Sequence, residues 1–251
     1  MNEESKSRAK YSSPFLRPSV KLPKNARLGV WFILNIEKWD INAIMARAYL
    51  PAPQGVQTPA PDIPNYSWFE YGLRVGSQWE ILAHGYEQRA IFLEKDQRAV
   101  IRKTMETIRN FTGKRPRGWM GPGLHETFET PDILAEEGLE YVADWVNDDQ
   151  PYPLEVKKGR LIAIPYTVEL NDILIYIVQQ HSSSEIYDRG RLAFDTLYEE
   201  GSESSRIMGI AVHPYVSGAA HRIKFVEMLL EYMKRHEGVL FMTGEEILDW
   251  Y

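Results

Sequence analysis

The chain has 251 residues, 44% of them hydrophobic and 25% charged, which is the balance of an ordinary globular protein of one large domain. Its formal charge is −6, from 29 Lys and Arg against 35 Asp and Glu, and no basic stripe gathers the cations, which argues against nucleic acid as a partner. There is no cysteine, so disulfides, thiolate nucleophiles and Cys-ligated zinc or iron–sulfur centres are excluded.

Met1 to Ser13 is polar and lacks the apolar core of a secretory signal. No stretch approaches the roughly 18 apolar residues of a membrane span. The expectation is a soluble, cytoplasmic protein that makes no contact with membranes. Residues 1–27 carry Ser, Lys, Arg and Pro without periodicity and read as an extended arm, suited to packing on a neighbouring subunit of a homo-oligomer. The domain proper then runs from 28 to 251. Leu28 to Leu34, LGVWFIL, is a continuous apolar run and reads as a buried strand. Residues 50–67 are rich in proline and read as a loop. Trp79 to Ala83 is a short strand. Lys95 to Phe111 is a helix with Ile101, Met105, Ile108 and Phe111 on one face and Gly113 as its stop.

Gly118 to Met120 is the next strand candidate. Thr130 and Pro131 open a helix that Gly138 closes. Strands follow at 141–143 and 161–165, a helix at 185–200, a strand at 206–212, a helix at 222–237 stopped by Gly238, and a last strand at 239–242. Thr243 to Glu246 spells a capping box for a final helical turn. Strands alternating with helices predict a parallel α/β architecture.

The residues that follow each strand carry the functional signal. Asn35 and Glu37 follow the first, and on an extended backbone they point the same way. His84 follows the second, Gly121-Pro122-Gly123 the third and Asp144-Trp145 the fourth. Glu169, Asn171 and Asp172 follow the strand at 161–165, and His213 follows IMGIAV. In a parallel barrel the carboxyl ends of the strands meet on one face, where the active site sits. His and Glu directly after apolar strands exceed what turn chemistry requires. Glu37, His84 and His213 are therefore the candidate catalytic residues: the carboxylate is suited to activating water, and His84 to acid–base work, to bonding a substrate carbonyl or to ligating a metal. Asn35, Trp119, Gly121, Trp145, Asp148, Asp149, Glu169 and Asn171 are candidate substrate-binding residues. Among them the Trp rings would serve as apolar walls and the Gly121 amide as an oxyanion donor.

Several stretches are shared with a known family. They are Trp79 to Tyr86 (WEILAHGY), Thr112 to Trp119, Gly121 to Gly123, Tyr141 to Trp145, Asn147 to Tyr152, Ile164 to Tyr166, His213-Pro214, His221 to Lys224 and Thr243 to Glu246. On these motifs the chain resembles the polysaccharide-deacetylase (NodB-homology) superfamily over most of residues 28–251. Leu34-Asn35-Ile36-Glu37, Asp148-Asp149 with Pro151-Tyr152, and Ile164 to Asp172 bring it nearest the allantoinase-like branch. The resemblance implies a deformed parallel (β/α) barrel and a hydrolase of non-peptide C–N bonds, with His213 as general acid.

Two departures stand out. Sugar deacetylases of the superfamily bind a metal through an Asp and a His-x-x-x-His pair. Here Asn35 and Glu37 stand in the first motif, and Gln88 stands where the second His belongs. That argues for a metal-independent site over zinc at His84. Relatives also carry a helix–strand–helix stretch between Gly76 and Trp79 that is missing here, so the barrel is expected to lack one strand. The first strand would then pair with residues 79–83 or leave a gap. Three functions are consistent with these motifs. The favoured one is hydrolysis of a small cyclic amide, imide or ureide. The others are a metal-dependent sugar N-deacetylase and an inactive shortened homologue with an assembly role.

Overall fold

The computed structural model describes residues 8–10, 12–13, 17–37, 39, 41–42, 60–70 and 80–251. Strand β1 spans Leu28–Leu34, β2 Gly118–Trp119, β3 Tyr141–Val142, β4 Tyr152–Leu154, β5 Leu161–Ala163, β6 Arg206–Val212 and β7 Val239–Phe241. The helices are α1 Ile63–Glu70, α2 Gln97–Thr112, α3 Thr130–Glu136, α4 Glu185–Glu200, α5 Pro214–Ser217, α6 Ala220–Lys234 and α7 Gly244–Trp250. A π-helix, Ile173–Val178, precedes α4.

Two sheets form the wall. One has the order β6-β1-β7, all parallel. The other has the order β2-β3-β5-β4, in which only β4 runs antiparallel. A bridge between Asn171 and Ala211 joins the second sheet's β5 side to β6, and Ala83 extends the β2 edge by pairing with Trp119. The result is the deformed parallel barrel that the motifs imply.

Side-chain alternation sorts the core. Trp31 and Ile33 of β1, Tyr141 of β3, Ile162 of β5 and Ile207 and Ala211 of β6 meet in one cluster, the barrel interior. Their neighbours face outward. Leu28, Val30, Met208 and Ile210 pack with Phe194 of α4 and Leu229 of α6. Trp119, Val142 and Leu161 pack with Ile101 and Met105 of α2 and Leu134 of α3. Strands buried on both faces read as unbroken apolar runs, which is why β1 and β6 stand out in the sequence.

The structure departs from the sequence expectations in several places. Phe111 is 83% exposed. Ten residues beyond Ile101, it is rotated roughly 80° off that side chain around the helix. Residues 63–67 are helical despite Pro64, because proline is tolerated in a helix's first turn. The described part of the arm packs on its own chain. Ala9 pairs antiparallel with Leu154, Arg8 bonds both oxygens of Asp132, at 2.9 and 2.7 Å, and Leu22 and Ala26 are buried. β1 is flanked by β6 and β7 and does not pair with residues 80–83. A cavity of about 1170 Å³ instead separates β1 and β7 from residues 80–82. The junction from Gly76 to Trp79 and most of the proline-rich loop lie outside the described residues.

Candidate active site

The rim of the barrel brings Glu37, His84 and His213 into one small cavity of about 50 Å³, with Asn35, Gln88, Asn171 and Tyr215 among its walls. His213 ends β6, and Pro214 starts α5 immediately after it. Asp172, fully buried at the head of the π-helix, holds His213 twice. Asp172 Oδ2 accepts the His213 backbone N–H at 2.7 Å, and Oδ1 lies 2.6 Å from Nδ1. Ser217 donates its hydroxyl to Oδ2 at 2.7 Å. With Nδ1–H committed to Asp172, Nε2 turns to the cavity, 3.5 Å from Glu37 Oε1. Burial works against the imidazolium, but Asp172 and Glu37 outweigh it and raise His213 to about 9. His213 therefore carries a proton at neutral pH.

Glu37 is almost enclosed. Tyr215 donates its hydroxyl to Oε2 at 2.7 Å, and Gln88 donates its amide to Oε1 at 2.6 Å. Burial pushes the carboxyl up, yet hydrogen bonding and charge, those of His213 foremost, hold it far below the usual carboxylate range. His84 approaches the same oxygen as His213, with Nε2 3.9 Å from Oε1. Its Nδ1 lies 2.7 Å from the Met120 carbonyl, which makes Nδ1 the protonated nitrogen and leaves the Nε2 lone pair facing the cavity.

The other candidate residues divide. Asn35 and Asn171 line the cavity. Asn171 donates to the Tyr166 hydroxyl at 2.7 Å and accepts from the Ile173 amide at 2.8 Å. Trp119 lies wholly in the outer core, because the strand alternation sends Met120 inward and Trp119 outward. The Gly121 amide is already committed to Asp144 Oδ1, at 2.7 Å, and so is not an oxyanion donor. Trp145 bonds Glu126 through its indole N–H at 2.9 Å. Asp148 pairs with Arg17 of the arm at 2.8 Å and caps the Gln150 amide. Asp149 and Glu169 are exposed, away from this cavity.

Asp172, Tyr215 and Gln88 belong to the centre although the strand-end pattern did not assign them roles there. Asp172 had a signal, since it continues the Glu169…Asn171 run. Tyr215 lies inside a short helix and had none.

A three-ligand metal site fits poorly. Gln88 occupies the place of the second His and turns its amide nitrogen to Glu37. Among the described residues no three His, Asp or Glu side chains are arranged to hold a metal ion.

No family model matches the chain. It is 26% identical over 294 residues to a putative polysaccharide deacetylase of Schizosaccharomyces pombe, covering 90% of each protein. That alignment is longer than the 251-residue chain, so the relative carries residues within the match that this chain lacks. A peptidoglycan deacetylase of Helicobacter pylori is 27% identical over 204 residues, 68% of this chain and 69% of the relative. The crystal structure of Puue allantoinase superposes with a TM-score of 0.81 at 23% identity, covering 96% of this chain and 97% of that one. The chain thus shares the deformed barrel fold of the polysaccharide-deacetylase superfamily and resembles its members in sequence over nine-tenths of its length. Within that superfamily, its fold likeness extends to an allantoinase.

Proposed function

We propose that this chain hydrolyses a non-peptide C–N bond, opening a small cyclic amide, imide or ureide without a metal. The observation that carries this reading is the pair of imidazoles whose Nε2 atoms both approach Glu37 Oε1. His213 is protonated and anchored on Asp172, and His84 presents an open Nε2. The two are suited to opposite halves of a hydrolysis.

Glu37 is a weak base, because it is held ionised far below neutrality. Its use is electrostatic: the carboxylate keeps His213 charged and offsets the charge that develops on His84. His84 Nε2 takes a proton from water as it attacks the carbonyl carbon. The C–N bond then breaks, and the leaving nitrogen takes the proton of His213 Nε2. The products are a carboxyl group and an amine or urea nitrogen on one opened molecule. Asn35, on the cavity wall, would bond the substrate amide.

Turnover of allantoin, succinimide and dihydropyrimidines tests this, with and without a chelator. Chelator-insensitive opening of one of them is the expected result. The names of the two curated relatives favour a second reading, a metal-dependent deacetylase of a sugar polymer. Activity on N-acetylated oligosaccharides that a chelator abolishes, with none on the cyclic amides, would establish that reading instead.

A further inference from the structure

A second group of acids, half-buried but each with one oxygen sealed from solvent, lies outside the catalytic centre. Asp144 follows β3, and Glu126 lies in the loop after β2. Asp144 Oδ1 accepts the Gly121 amide at 2.7 Å, and Glu126 Oε2 accepts the Trp145 indole N–H at 2.9 Å. The remaining two oxygens, Asp144 Oδ2 and Glu126 Oε1, are buried and have no donor. The two carboxyls are within hydrogen-bonding reach of each other. As two anions they would leave both oxygens unpaired and set like charges in contact. A single proton between them satisfies both. Burial and mutual proximity raise both groups: Glu126 is pushed up to about 7, and Asp144 lies well above its usual range.

The pair reaches the catalytic centre through one peptide group. The Gly121 N–H that Asp144 holds and the Met120 C=O that accepts from His84 Nδ1 are the two ends of the same planar unit. The order is His84 Nδ1–H, Met120 C=O, Gly121 N–H, Asp144 Oδ1. An accepting oxygen at the N–H end polarises the unit and makes its carbonyl a better acceptor. The close approach requires glycine at 121. A Cβ there would lie 2.8 Å from Asp144 Oδ2 and 2.8 Å from the His125 carbonyl oxygen. The same loop supplies Gly123 and Leu124 to the wall of the reacting cavity.

We propose that Asp144 and Glu126 are positioning residues for His84: sharing one proton, they lock the Met120–Gly121 peptide plane, and that plane fixes His84 as the Nδ1–H tautomer with Nε2 open to the substrate. The catalytic value of this rests on the proton-accepting role proposed for His84, but the tautomer does not. Nitrogen-15 correlation spectra of the histidine rings in the full chain read the tautomer directly, with the His84 signal assigned through His84→Gln. The wild type and the conservative variants Asp144→Asn and Glu126→Gln are expected to show a single Nδ1–H form. Asp144→Ala, folded by near-ultraviolet circular dichroism, is expected to lose it to a mixture of tautomers. In turnover, Asp144→Ala should lower kcat on the order of 10-fold to 100-fold with KM nearly unchanged, and Asp144→Asn should restore it to within about threefold. If Asp144→Ala does not fold, the double variant E126L/D144L is the second probe, because apolar residues of similar size often replace buried charges without loss of stability. A folded variant of either kind that keeps a pure Nδ1–H His84 overturns the proposal. So does the failure of both to fold, which assigns the pair to stability alone. If no cyclic amide is turned over but the tautomer responds as expected, the functional reading fails while the link to His84 stands.

Discussion

The barrel rim holds two carboxyl sites, one after β1 and one after β3, whose proton affinities are driven in opposite directions. Glu37 is enclosed yet stays ionised, because the charged His213 imidazole, a phenol and an amide turn hydrogen or positive charge toward it. Asp144 and Glu126 are also enclosed, but each faces another acid, so together they keep a proton. Burial pushes all three in the same direction. The partner decides which way each ends up.

The largest test removes the charge at the first site. Glu37→Gln keeps the shape of the hub and loses the anion between His84 and His213. A fall in kcat/KM on the order of 10²-fold to 10³-fold is expected on the opened amide substrate. The same variant should move the alkaline limb of the pH–rate profile downward, since Glu37 is one of the two groups that raise His213. In the unaltered protein that limb is expected near pH 9, where His213 gives up its proton.

Stability sharpens the contrast, because the two sites have opposite signs. Glu37 is depressed, so its contribution is present above the unfolded carboxyl value and disappears as pH falls toward the folded one. Glu126 is raised, so its contribution is present below the unfolded value of 4.5 and is lost as pH rises through about 7. Glu126→Gln cannot titrate. Its urea midpoints should fall less than the wild type's between pH 5 and 8, by a difference on the order of 1–3 kcal/mol over that range. Equal slopes would mean the pair does not hold its proton. The smallest effect is expected at Arg8, the cation nearest Glu126 that also straps the arm to Asp132. Arg8→Ala should cost about 1 kcal/mol in chemical unfolding and leave turnover unchanged.

Much of this was legible in the residues. β1 and β6 announce themselves as apolar runs because both faces are covered, and the three catalytic candidates were found because each ends a strand on one rim. Trp119 was misplaced for a simple reason: its strand neighbour Met120 points inward, and one residue along a strand is half a turn of the pattern. Asp148 resembled a rim acid but spends its charge on Arg17 of the arm. The antiparallel β4 and the π-helix carry no periodic signal, since three residues and one wide turn are too short to show one. The acid pair was invisible for a different reason: Asp144 was noticed, but nothing local ties it to Glu126, which reaches it only through the fold.

The first strand waits for the last. Leu28 pairs on one side with Arg206 and on the other with Val239, so β1 has no lasting neighbour in the wall until nearly the whole chain has been made. At about 5–20 residues per second, the ribosome takes roughly ten to forty seconds to deliver that second partner. For that interval LGVWFIL is a sticky, β-prone heptapeptide with at least one edge unpaired. Its yield in the cell should therefore depend on chaperones that shield nascent chains, and slowing the last third of translation should send more of it into aggregates.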